Sequence, residues 1–281
     1  MSLKNTLSLP FRFWIVAAIA FINSVSFTII IPVLYPYAKQ FGLSNFEASL
    51  LTTAYAASQF VGTPILGKLS DRLGRKPLLI ASLVGTVVAN AIACVAGTPW
   101  LLFSARILDG VTGGNTSIAR AIVSDTTPHE QRSKAFGVFS AVFRLGFVAG
   151  PALSYAAQQV PAFPGVSSLG MSFAVAGVMA AIAVVLSWVA LPETHPSDPD
   201  CPVNWQDFGV RDLVGVFQSA GDRQFGRAFI LTFLSGSTFT IFTFALQPFF
   251  LNALEQDART LAIAIGNASA LLAGFPFKRV P

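Results

Sequence analysis

Residues Gly67–Pro77 read GKLSDRLGRKP, a charged stretch between two long apolar runs, Ala48–Leu66 and Leu78–Ala96. Five charged residues (Lys68, Asp71, Arg72, Arg75, Lys76) and two glycines (Gly67, Gly74) fall within it. Each flanking run approaches the length of a membrane-spanning helix, for which about 20 apolar residues are needed. The stretch therefore reads as a tight basic turn at a bilayer surface, with Gly67 and Gly74 supplying permissive backbone at its ends. Short basic loops lie on the cytoplasmic side, so this turn sets the orientation expected for the whole chain.

Composition agrees. The chain has 281 residues, 53% hydrophobic and 11% charged, with a mean hydropathy of +0.64; soluble domains carry about 25% charged residues. The net charge of +5 does not point to nucleic acid, because the basic residues are parcelled into loops between apolar runs. Cys94 lies in an apolar run and Cys201 in a polar one; the pair implies no disulfide framework and no metal site, and Cys94 reads as a small packing residue. No phosphate-cradling glycine loop and no nucleophile–base pair is visible, so neither a cofactor nor a catalytic residue is expected. The apolar run from Phe13 to Tyr35 would cover roughly 35 Å as a helix, which makes it a first span rather than a cleaved leader.

Spans are expected at 13–36, 47–67, 77–96, 99–123, 136–159, 167–191 and 227–252, with a weaker run at 259–274. Each should be helical, since a lone spanning segment must satisfy its own backbone hydrogen bonds. With the N-terminus inside, the inner loops hold Lys68, Arg72, Arg75 and Lys76, then Arg132 and Lys134, then Arg211 and Arg223. The outer loops hold Lys39, and none of the other outer loops between the first six spans carries Lys or Arg. The expectation is a multi-pass protein of the cell membrane with a cytoplasmic N-terminus. The polar, proline-rich segment after Pro192 divides the chain into a six-span domain (1–192), a cytoplasmic linker (193–226) and a partial second domain (227–281).

Several spans carry groups that are costly in lipid. Span four contains RILDGVTGGN, with Arg106 and Asp109 three residues apart on one helix face. They either neutralise each other or line a cavity and couple protonation to shape. Gly110 and Gly114 offer a small face for a neighbouring helix. Span five contains RLGFVAGPALSY, in which Gly146, Gly150 and Pro151 combine close packing with a broken ladder. Arg144 is either a second cavity cation or a side chain that snorkels to the inner surface. Asn23 and Ser24 in span one suit interhelical hydrogen bonds, and Asn23 is also a substrate candidate, as is Gln247 beside Pro248. Asn115-Thr116-Ser117 has the form of a glycosylation site, discarded because it lies inside a span.

GKLSDRLGRKP resembles the loop signature between spans two and three of the major facilitator superfamily. RILDGVTGG is similar to its fourth-span signature, with Asp109 where Gln is frequent, and GFVAGPALSY to its fifth-span antiporter signature, with Ser154 and Tyr155 in place of two glycines. The resemblance covers about residues 10–252 and is nearest the drug and tetracycline efflux branch. It implies an all-α membrane protein, a helical bundle in which the six N-terminal spans form two inverted groups of three, followed here by an incomplete second domain. It further implies a conformational latch formed by Gly67, Asp71, Arg72, Gly74 and Arg75, with Asp125 paired to Arg72 or Arg75. The implied function is secondary transport by alternating access, with protons and a small organic molecule as partners alongside the lipid bilayer. A uniporter or symporter of sugars or other metabolites is the first alternative. The second is a truncated remnant that does not transport. The end of the chain after Gly274 motivates it, and with it the expectation that the chain inserts but works only by self-association or with a missing C-terminal half.

Overall fold

The computed structural model describes residues 9–195 and six helical positions between 226 and 238. Most of the span-like run at 227–252, all of that at 259–274, and Gln247 lie outside the described residues. All regular structure among the described residues is helical: α1 (Phe11–Gln40), α2 (Asn45–Leu73), α3 (Arg75–Cys94), α4 (Pro99–Val111), α5 (Asn115–Thr126), a 3-10 turn (His129–Gln131), α6 (Arg132–Gln159) and α7 (Ser168–Ala190).

Polar residues at the helix starts set where the elements begin. Ser44 and Glu47 form a reciprocal capping box at α2. Thr98 accepts from Leu101 N–H with Pro99 in the first turn of α4, and Ser167 accepts from Gly170 N–H at α7. Among the described residues four stretches, Phe11–Gln40, Arg75–Cys94, His129–Gln159 and Ser168–Ala190, are long and apolar enough to cross a membrane. α2 has the length, at 29 residues, but Lys68, Asp71 and Arg72 extend it into a charged end.

Two expectations need correction. The basic stretch is not a turn bounded by two glycines. α2 continues through Gly67 to Leu73, and α3 begins at Arg75. Nothing before Gly74 breaks the helix, and a Cβ at Gly67 would meet open space. The reversal rests on Gly74 alone, whose φ of 99° favours glycine. Nor is the fourth span one helix. It breaks at Thr112–Gly114 into α4 and α5, so Gly110 and Gly114 do not share a continuous helix, although both face α2. A Cβ on Gly110 would strike the Tyr55 carbonyl, and one on Gly114 would meet Leu66.

α1 runs through the middle of the bundle and packs along α6 and α7; α3 packs on α7 and α4, and α2 on α4. The α1–α6 contact is close because Gly146 and Gly150 lie against Ser24 and Thr28. Ser24 Oγ donates to the Phe143 carbonyl at 2.6 Å, and Thr28 Oγ1 to the Gly146 carbonyl at 2.8 Å. Ser154 is buried and meets Ser172 of α7, while Tyr155 faces outward. Toward the charged end, Phe13 and Val16 of α1, Leu79 and Leu83 of α3, Ile118 and Ile122 of α5 and Phe139 of α6 form one apolar core.

Candidate functional site

Two groups of polar residues stand out, one in a cavity and one at the charged end. The cavity encloses about 250 Å³ and is reached by α1 to α6. Its polar wall includes Asn23, Tyr55, Gln59, Thr86, Asn90, Asp109 and Asn115, and its apolar wall includes Phe27, Phe143 and Phe147.

The break in the fourth span shapes this wall. Helix termini leave peptide groups without intrahelical partners, and such backbone is tolerated at membrane depth only inside protein or beside a cavity. Gln59 Nε2 donates to the Gly113 carbonyl at 3.2 Å and to Tyr55 Oη at 3.0 Å. Ser82 Oγ donates to the Thr112 carbonyl. Just past the break, Asn23 and Asn115 donate amide hydrogen bonds to one another, at 3.2 and 3.1 Å. Both are over nine-tenths buried.

Arg106 and Asp109 form a buried ion pair at 3.2 Å. Asp109 lines the cavity, whereas Arg106 sits behind it, over the rings of Phe173 at 5.5 Å and Tyr55 at 5.9 Å. The Nε and Nη2 groups of Arg106 are buried without hydrogen-bond partners, as is Asn90 Oδ1. Asp109 is therefore the principal counter-charge to a cation in low dielectric, and its protonation would leave that cation uncompensated. Arg144 does not line the cavity. It is exposed on α6, beside Phe143 and one turn from Phe147, which do.

At the charged end, Arg75 is the hub. It pairs with Asp71 across the Gly74 reversal, donates from Nε to Asp125 at 3.1 Å, and donates from Nη1 to Ser70 Oγ at 2.7 Å. Asp125 thus meets Arg75 and not Arg72, whose Nε is buried without a partner. Glu193, after α7, joins the cluster. Its carboxylate accepts from the backbone N–H groups of Arg75 and Lys76 at 2.9 and 3.1 Å, at the start of α3 where no side chain of the turn caps the helix. Lys76 Nζ donates to the Trp188 carbonyl at 2.8 Å.

The sequence reading named Asn23 and Asp109, which line the cavity, and left Asp125 between Arg72 and Arg75, of which the structure brings Arg75 to it; it missed most of the cavity wall. Tyr55 with Gln59 and Thr86 with Asn90 are polar pairs one helical turn apart in apolar helices, and that spacing was the available signal. Asn115 was hidden behind the glycosylation pattern. Glu193 carried no signal, because its partner lies 118 positions away.

Residues 16–280 match the family model of the Major Facilitator Superfamily. The chain belongs to this superfamily. It is 33% identical over 180 residues to the class E tetracycline resistance protein of Escherichia coli, covering 63% of this chain and 43% of that protein. It is 29% identical over 204 residues to the quinolone resistance protein NorA of Staphylococcus aureus (strain MSSA476), covering 69% and 51%. The chain thus spans about half or less of the length of these relatives. The fold is similar to that of the human organic anion transporter MFSD10 (TETRAN), with a TM-score of 0.74, 20% identity, and coverage of 94% of this chain and 71% of the other. The described residues are all helical, and the chain is a membrane protein of this superfamily.

Proposed function

We propose that this transporter exports small organic molecules in exchange for protons moving down their gradient, by alternating access, with Asp109 as the protonated group and the cavity as the cargo site. The observation that carries the reading is the placement of Asp109: among the described residues it is the one acid in the cavity lining, and its partner Arg106 is shut off behind it. The likeness to tetracycline and quinolone resistance proteins supports a drug-like cargo. Three phenylalanines facing a wall of amides suit a flat molecule with hydrogen-bonding groups on one edge. The Arg75 cluster serves as the latch that is made in one state of the cycle and broken in the other, with Asp71 and Asp125 as alternative holds on one guanidinium. Arg144 is a cation on the open face of α6 that meets cargo or a second bundle rather than this cavity. The bundle sits in the cell membrane with the Arg75 cluster in the cytoplasm.

The test is accumulation of tetracycline in vesicles holding the purified protein, with an acidic interior and with the gradient collapsed by a protonophore. Accumulation should need the gradient, and Asp109→Asn should abolish it. Accumulation indifferent to the gradient, or unchanged in Asp109→Asn, would rule the reading out.

A further inference from the structure

α5 is a short, separate rod. It holds 12 residues, about 18 Å, and the Thr112–Gly114 break frees its backbone from α4. Its middle is greasy: Ile118, Ala119, Ile122 and Val123 are buried in the shared core. Polar side-chain contacts to other helices hold its two ends. At the cavity end Asn115 is clasped by Asn23 of α1. At the other end Asp125 is bonded by Arg75 of α3. The two holds are about 15 Å apart along the helix, too far to touch and joined by one rigid element.

We propose that α5 is a lever connecting the cavity to the Arg75 cluster, and that the Asn23–Asn115 amide pair is the hold that seats it. Asn115 is on this view a positioning residue that acts through α5 on Asp125. An apolar core resists sliding less specifically than directional amide bonds, so the clasp fixes where along α1 the rod rests. Each asparagine gives the other one donor and one acceptor, so anything in the cavity that presents both can replace Asn23 opposite Asn115. Unseating the rod there would draw Asp125 off Arg75, leaving Arg75 to Asp71. A two-position rod of this kind gives occupancy of the cavity a physical route to the far end. The lever goes beyond the transport reading and does not depend on it, because its test reads the position of α5 in resting protein.

In the full chain with both cysteines replaced by serine, spin labels at Arg120 on α5 and Ala81 on α3, both exposed positions, report the α5–α3 distance by pulsed electron resonance. Asn115→Ala and Asn23→Ala cut the same clasp from opposite sides, so one can stand in if the other fails to fold. Either should move or broaden the distance distribution, and Asp125→Asn should do the same. Thermal unfolding closes the test. Distant independent sites contribute additively, so Asn115→Ala combined with Asp125→Asn should lower Tm by clearly less than the sum of the single shifts. Ser154→Ala, a buried change on α6 outside the lever, should add in full to Asp125→Asn. An unchanged distance distribution in both asparagine variants, or additive shifts for the Asn115–Asp125 pair, would overturn the lever. Absence of gradient-driven tetracycline accumulation by the unsubstituted protein would instead count against the transport reading and leave the lever standing.

Discussion

A Cβ placed on Gly150 would overlap the Thr28 side chain, and Thr28 is already bonded to the Gly146 carbonyl. Gly150→Leu must therefore push α6 off α1, and overpacking of this kind costs about 1–3 kcal/mol. Gly97 has open space around it, so Gly97→Leu should leave the folded yield unchanged; thermal unfolding of the two variants in detergent would check the difference. The buried Arg106–Asp109 pair makes a second residue-scale prediction. Removing one partner of such a pair costs about 3–5 kcal/mol, whereas replacing both by apolar groups of similar volume is often neutral. Arg106→Met should thus lower the unfolding temperature strongly, and the double variant Arg106→Met/Asp109→Leu should regain much of the loss while staying inactive. Failure of the double variant to regain stability would mean the pair is needed for packing as well as charge. At this scale the sequence exposes groups that are costly alone, such as Asp109 in an apolar run. It does not expose groups whose role comes from a partner on another helix, and Asn115 gains its place from Asn23, 92 positions away.

Elements end where local chemistry makes them end, and distant residues often provide that chemistry. α3 starts at a glycine with no side chain to cap it, and the Glu193 carboxylate does the capping from beyond α7. Glu193→Ala should cost about 1 kcal/mol, the ordinary loss for a missing cap, and should raise hydrogen exchange at the Arg75 and Lys76 amides. Protection unchanged at those amides would show that the cap is idle. The two carboxylates on Arg75 should differ. Asp71 is 56% exposed and Asp125 26%, and exposed pairs contribute only about 0–1 kcal/mol. Asp71→Asn should therefore keep normal abundance in the membrane, Asp125→Asn should be the less stable of the two, and a transport defect in Asp71→Asn would then belong to the cycle rather than to folding. Five of the six runs expected within the described residues each form one helix, and these were legible because apolar length is a property of each run by itself. The break at Thr112–Gly114 was not. It depends on Gln59 and Ser82 receiving the freed carbonyls, and an apolar window of 99–123 looks the same whether broken or whole. The course of α2 past Gly67 was misread for the opposite reason, since glycine permits a turn without requiring one.

At the scale of the whole molecule, helix length and loop charge together bear on which way the bundle faces. α6 is one helix of 28 residues, about 42 Å long, which exceeds the roughly 30 Å of bilayer hydrocarbon. The turn before it, His129–Gln131, and the segment after it, 160–167, must therefore emerge on opposite sides. The first lies beside Arg132 and Lys134 and on the side of the Arg75 cluster; the second carries no Lys or Arg. Translocating the basic side would mean carrying Lys68, Arg72, Arg75, Lys76, Arg132 and Lys134 across, against the usual bias. In the protein with its native cysteines replaced, a cysteine at Ala162 should react with an impermeant maleimide in intact cells, and one at Glu130 only after the membrane is opened. Both positions are exposed, so accessibility within the bundle does not confuse the comparison. Labelling of Glu130→Cys from outside, with Ala162→Cys protected, would invert the orientation, and with it the side on which the Arg75–Asp125 contact and its lever operate.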